Sequence, residues 1–156
     1  MKNIFKIIIV LFLINSLFYK YTEYNIKEDY LLEISIPKIK LNKKIYNLDD
    51  KKNNLNEGLK LLKPLILPNQ NNSIIIIAGH NGNSNISHFR NLYKVKLKDE
   101  VIINYNNIKY YYEIVEIYDI KKNGTALIKN NYNNIIVLIT CKGYNKQTIF
   151  IGKLKH

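Results

Sequence analysis

The sequence predicts an all-β protein, a closed or nearly closed barrel carried behind an N-terminal membrane-spanning helix. Three observations predict it. Val, Ile, Tyr and Phe are plentiful and Trp is absent, a composition that suits strands. From Asp99 onward short apolar runs are separated by Asn-rich turn signals, with no strong helical pattern among them. Ahead of everything stands an apolar run introduced by lysines.

At 156 residues the chain supports one domain with a real core and is too short for two large ones. Its formal charge of +12 comes from 23 Lys and a single Arg, Arg90, beside 24 Asn. Nucleic-acid readers lean on arginine for bidentate contacts, so nucleic acid is not an expected partner. Lysine spread over a surface fits weak attraction to an anionic membrane or cell-wall polymer better.

The first element is the run over residues 7–19, broken only by Asn15 and Ser16 and preceded by Lys2 and Lys6. A spanning helix needs about 20 apolar residues, with tolerance down to about 17. Counting from Ile4 and letting Lys6 snorkel brings the run near that limit. No small-x-small cleavage site follows, so an uncleaved signal anchor is expected rather than a removed signal peptide; an N-terminal core helix is the alternative. Positive charge ahead of the run keeps the N-terminus inside and exports the rest. The organisation read this way is an anchor over 1–21, a charged tether over 22–30, and one extracellular domain over 31–156 at the cell membrane. The exported part keeps 21 basic residues against 12 acids.

Export gives the cysteine count a meaning. One cysteine, Cys141, cannot form an intrachain disulfide. It pairs between chains, is chemically active, or is a buried structural thiol.

Leu32, Ile34 and Ile36 alternate with Glu33 and Ser35, which predicts a half-buried strand that Pro37 ends or places at an edge. Residues 49–62 read as a turn and a short helix, weakened by Gly58. Pro64 and Pro68 frame a loop. The apolar run 74–77 predicts a strand buried on both faces, with His80 at its end after Gly79. The Asn- and Gly-rich segment after it reads as an exposed loop. Residues 87–97 read as a helical turn carrying Phe89 and Leu92 inward. His88 reads as structural or surface, since nothing places it on a strand end.

Strands then follow over EVIINY and NNIKYYYEIVEIYDI, with turns at Asn106-Asn107, Asn123-Gly124 and residues 130–134. The last stretch, residues 135–152, is two apolar runs joined by a short polar loop. The first run stops at Thr140-Cys141, which holds the thiol at a strand end. If the runs pair as a hairpin around residues 142–146, Gln147 lies beside Cys141. A thiol and an imidazole at the ends of two strands are the parts of a cysteine nucleophile. The thiolate is the reactive species, and a neighbouring cation favours it. No repeat, phosphate loop or metal-spaced Cys/His cluster is present.

Four stretches resemble the sortases, membrane-anchored cysteine transpeptidases of Gram-positive bacteria. ISIPKIKLNKKIY is similar to the family's opening strand. IIIIAGHNG is similar to the Ala-Gly-His strand, HFRNLYKVKLKDEVII to the Phe-x-x-Leu stretch with its acidic turn, and VLITC to the Thr-Cys strand. Order and spacing fit from about Leu31 to Leu154, and the anchor fits too.

The resemblance implies a sortase-like closed barrel of about eight strands with one or two short helices. It makes His80 the acid/base and Cys141 the nucleophile, with Thr140 and Lys142 shaping the substrate groove. The implied reaction is acyl transfer from a sorting signal of the Leu-Pro-x-Thr-Gly kind, through a thioester, to a cell-wall or pilin amine. The implied partners are sorting-signal-bearing surface proteins and that amine; no cofactor or metal is implied, and the chain is read as a monomer.

The family carries an arginine on the strand after the cysteine, and here Gln147 stands in its place. Its amide can donate to an oxyanion but brings no charge, which Lys142 or Lys146 would supply. Two other readings stay open: a catalytically weak or inactive sortase-fold binding or scaffolding protein, and an unrelated basic surface protein. No Asp-Pro-aromatic lid precedes the first strand and no second apolar segment ends the chain, which favours a housekeeping or accessory anchoring role over pilin polymerisation.

Overall fold

The computed structural model describes residues 11–16, 30–122 and 132–155. The predicted anchor and tether fall almost wholly outside them, as does the Asn123-Gly124 turn. Residues 11–16 are helical, and among the described residues no helix is long and apolar enough to cross a membrane.

Eight strands form one sheet: β1 (Leu32–Ile36), β2 (Leu41–Ile45), β3 (Lys60–Ile66), β4 (Ile74–Gly79), β5 (Glu100–Tyr105), β6 (Ile108–Lys121), β7 (Ile135–Lys142) and β8 (Lys146–Leu154). The order across the sheet is β2-β1-β5-β6-β8-β7-β4-β3. Neighbours are antiparallel except β4 and β7, which run parallel. A parallel pair needs a long crossover, and the crossover here carries β5 and β6.

The all-β class is as the sequence predicts. One apolar cluster takes side chains from strands at both ends of the sheet: Leu41 and Ile45 from β2, Leu61 from β3, and Ile75, Ile103 and Leu138 between them. A flat sheet cannot bring its two edges to one cluster, so the sheet curls into a half-barrel. Fully burying each such Leu, Ile or Val is worth about 1.5–3 kcal/mol.

Full closure is not observed, which corrects the closed-barrel expectation. β2 and β3 are the free edges of the sheet. The buried side chain of Asn53, on the connection between them, accepts from Leu61 N at 2.7 Å and donates to Leu61 O at 3.1 Å. A side-chain amide thus meets the β3 backbone groups that a closing strand would have paired.

The same connection corrects the helix expected over residues 49–62. It is a series of turns. Asp50 Oδ1 accepts from Lys52 N, and Asn54 Oδ1 accepts from Asn56 N and Glu57 N. Local side-chain acceptors of this kind compete with helix formation. The loop expected between Pro64 and Pro68 begins instead as β3, with Pro64 inside it. An edge strand tolerates proline, and the β3/β4 register shifts between Leu62 and Ile66, around Pro64.

Other elements stand as read. β1 ends where Pro37 opens a one-turn 3₁₀ helix (Pro37–Ile39). A second 3₁₀ turn (Leu92–Lys94) follows Phe89, and both Phe89 and Leu92 are fully buried. Asn106 and Asn107 both take positive φ, the requirement of a two-residue hairpin turn. In β4 only Ile75 and Ile77 are fully buried; Ile74 and Ile76 are half-buried. They pack on a second cluster on the other face of the sheet, built on Ile135, Val137, Ile149 and Ile151. The strand closed on both faces is β7, where residues 135–138 are all buried.

Candidate active site

The site is built where β4 and β7 end together. Their parallel register pairs Ala78 with Ile139 and Gly79 with Thr140. The residue after Gly79 is His80, and the residue after Thr140 is Cys141. The two chemically capable side chains are therefore successive neighbours across one seam of the sheet.

Several contacts hold that seam. Thr140 Oγ1 donates to the Gly79 carbonyl at 3.0 Å in a buried setting. Asn81 Nδ2 donates to the Cys141 carbonyl at 2.9 Å. Phe89 N donates to the His80 carbonyl at 3.1 Å. Gly79 allows the approach: a Cβ there would lie 2.6 Å from the Leu59 and Phe89 side chains, a separation packed atoms do not reach. The backbone on both sides of the pair is thus fixed by hydrogen bonds, while His80 and Cys141 themselves stay half-buried.

The hairpin expected after Cys141 is observed. β7 and β8 pair Cys141 directly with Gln147 and close with Lys142 opposite Lys146. Gly143 takes φ +62° in the turn, a conformation that favours glycine. Directly opposed residues of an antiparallel pair share a face, with Cβ atoms about 4.5–5.5 Å apart. Gln147 therefore flanks Cys141 on the side away from His80.

A cavity of about 350 Å³ opens at the same end of the sheet, and Thr140, Cys141 and Lys142 all line it. Its walls include Tyr93, Tyr118 and Asp119. His80 and Gln147 do not line it; they meet Cys141 through the sheet, so the thiol sits where the cavity adjoins that pair. Arg90 lies elsewhere, donating to the Ser84 carbonyl in the loop after β4.

Lys142 differs from its expected part as a loose charge for the groove. Its Nζ contacts Asp119 Oδ2 at 2.6 Å. Thr148 Oγ1 donates to the other oxygen, Oδ1, at 2.8 Å. The hydrogen bond from Lys142, then that from Thr148, hold the Asp119 carboxyl below the usual carboxylate range. Asp119 and Asn81 are the residues that the sequence did not single out. Their only signals were position: Asp119 near the end of a long strand, Asn81 next to His80.

A larger cavity, about 420 Å³, lies by the β2 edge and contains His88, Lys43 and Glu57. It holds no thiol. Among the described residues no group of three or more His, Cys, Asp or Glu is placed to hold a metal ion.

Comparison with known proteins agrees with the geometry. The sortase-domain family profile matches residues 34–155. Sortase A from Corynebacterium diphtheriae superposes with TM-score 0.71 at 29% identity, covering 81% of this chain and 61% of that one. Sortase C-1 from Actinomyces oris gives TM-score 0.72 at 25% identity, with 87% and 81% covered. Sortase C1 from Streptococcus agalactiae shares the fold with TM-score 0.69 at 24% identity, over 83% and 69%. No curated protein sequence matches significantly.

Proposed function

The chain belongs to the sortase family, and from that premise we propose that it is a cysteine transpeptidase. Cys141 is the nucleophile, and His80 exchanges the protons of the two half-reactions. The observation that carries this is the β4/β7 register, which sets His80 and Cys141 side by side at the open end of the sheet.

In the first half-reaction the Cys141 thiolate attacks the Thr-Gly carbonyl of a Leu-Pro-x-Thr-Gly-like sorting signal. The C–S bond forms, the C–N bond breaks, and the leaving amine takes a proton from the His80 imidazolium. In the second, an acceptor amine attacks the thioester and gives its proton to neutral His80, and the thiolate leaves. One amide exchange becomes two steps with a good leaving group in the second. The Gln147 amide, directly opposite Cys141, takes the arginine's place as donor to the developing oxyanion. Preorganised donors of this kind typically contribute about 10²–10³-fold.

The donors are sorting-signal-bearing surface proteins and the acceptor is a cell-wall or pilin amine. Residues 1–21 anchor the protein in the membrane with the domain outside. The test is turnover of a Leu-Pro-x-Thr-Gly peptide library in the presence of an amine. Wild type yields transfer product, whereas Cys141→Ala and His80→Ala yield none above background; product from the Cys141→Ala variant would overturn the assignment.

A further inference from the structure

Asp119 stands opposite Thr148 in the β6/β8 register, and Thr148 stands opposite Thr140 in the β7/β8 register. The carboxylate is thereby carried to the end of β7, one residue beyond which lies Cys141. Among the described residues it is the one carboxylate lining the cavity that Cys141 lines. Thr148 fixes one of its oxygens, and Lys142 covers the other. The Lys142 side chain is 60% exposed, so another ammonium can reach its position from solvent.

An amine acceptor arrives as a cation at a protein whose formal charge is +12. Long-range electrostatics oppose that approach, and a carboxylate beside the thiol reverses it locally. Resting on the transpeptidase reading, we infer that Asp119 is the docking group for the acceptor. The incoming ammonium displaces the Lys142 ammonium from Asp119 Oδ2 and is set beside the Cys141 thioester, because Lys142 directly follows Cys141. Asp119 stays ionised while it does so, since Thr148 and its cationic partner hold it below the usual carboxylate range. The bound ammonium releases one proton to solvent. The neutral amine then attacks the thioester carbonyl, the C–N bond forms, the C–S bond breaks, and the second proton passes to His80. Lys142 returns to Asp119 when the product leaves. Asp119 is thus a specificity determinant for small, unhindered primary amines.

The experiment reads how one acyl-enzyme partitions between aminolysis and hydrolysis, a ratio independent of how fast the acyl-enzyme forms. Wild type, Asp119→Asn and Lys142→Gln are acylated with a Leu-Pro-x-Thr-Gly peptide library and titrated with triglycine amide. Asp119→Asn raises the triglycine amide concentration for half-maximal transfer about tenfold, the scale of one charge-assisted contact. Lys142→Gln, which removes the competing ammonium, lowers it by roughly threefold, as expected for a partly exposed ion pair. A purely structural bridge moves both variants the same way or neither. Any outcome in which the two substitutions fail to move in opposite directions overturns the inference. Absence of a thioester in wild type overturns the transpeptidase reading beneath it instead.

Discussion

His80 and His88 stand at the two ends of one loop, both half-buried, and their neighbours differ. His80 is set by the β4/β7 register beside a thiol. His88 lines the larger cavity, among Lys43, Lys52 and Glu57, and burial, then Lys43 and Arg90, push its pKa below the ordinary 6.5. The larger cavity thus holds the histidine without a nucleophile. Cavity size does not locate the chemistry in this fold; strand register does, because it fixes which residue follows which across the seam.

The sharpest way to break that comparison is to remove each imidazole in turn. His80→Ala lowers transfer by about 10²–10⁴-fold, the usual contribution of a positioned acid/base. His88→Gln leaves transfer within about twofold, as for a surface change away from the site. Peptide-transfer kinetics on the two variants decide it, and equal losses would erase the distinction between the two histidines.

A smaller effect sharpens the site end. Gln147→Ala lowers kcat by up to about 10²-fold if the amide is an oxyanion donor, while Gln147→Arg raises turnover by adding charge to the same position. Steady-state kinetics on both variants check this; an unchanged rate in both would assign the donor to another group.

Next in size is the seam itself. Gly79→Ala drives a methyl to 2.6 Å from Leu59 and Phe89, and overpacking of this kind costs about 1–3 kcal/mol. Thermal melting measures it, and an unchanged Tm would mean that the close approach of the backbone to Phe89 is not required.

The smallest effect belongs to the other histidine. Its lowered pKa means that the folded state resists protonating His88 more than the unfolded chain does. Its contribution is therefore whole above pH 6.5 and is lost as pH falls through the lower native value. Wild type should lose more stability than His88→Gln between pH 7 and pH 5. Denaturant melts at the two pH values read the difference, and parallel losses would contradict it.

The two regions also differ in how far the sequence revealed them. The β7–β8 hairpin, the thiol at its strand end and the Gln147 pairing were legible, because alternation and a short polar loop specify a hairpin locally. The β2–β3 connection was not. Asn53, Asn54 and Asp50 look like helix-start residues in sequence, yet their side chains take backbone partners that a helix would have used. Pro64 read as a loop because proline argues against a central strand, and nothing local shows that β3 is an edge. The parallel β4/β7 pairing joins residues sixty positions apart, so no local pattern encodes it; the motifs around His80 and Cys141 suggested it only through family resemblance. Asp119 was missed for the same reason, since Lys142 and Thr148 meet it only through the β6/β8 register.

The most direct test of the central claim is intact-mass spectrometry of the exported domain after incubation with the Leu-Pro-x-Thr-Gly peptide library, followed by peptide mapping. The account predicts one acyl group per chain, cleaved at Thr-Gly, attached to Cys141 and released by hydroxylamine. No adduct on the folded protein, or an adduct that persists in Cys141→Ala, would contradict it.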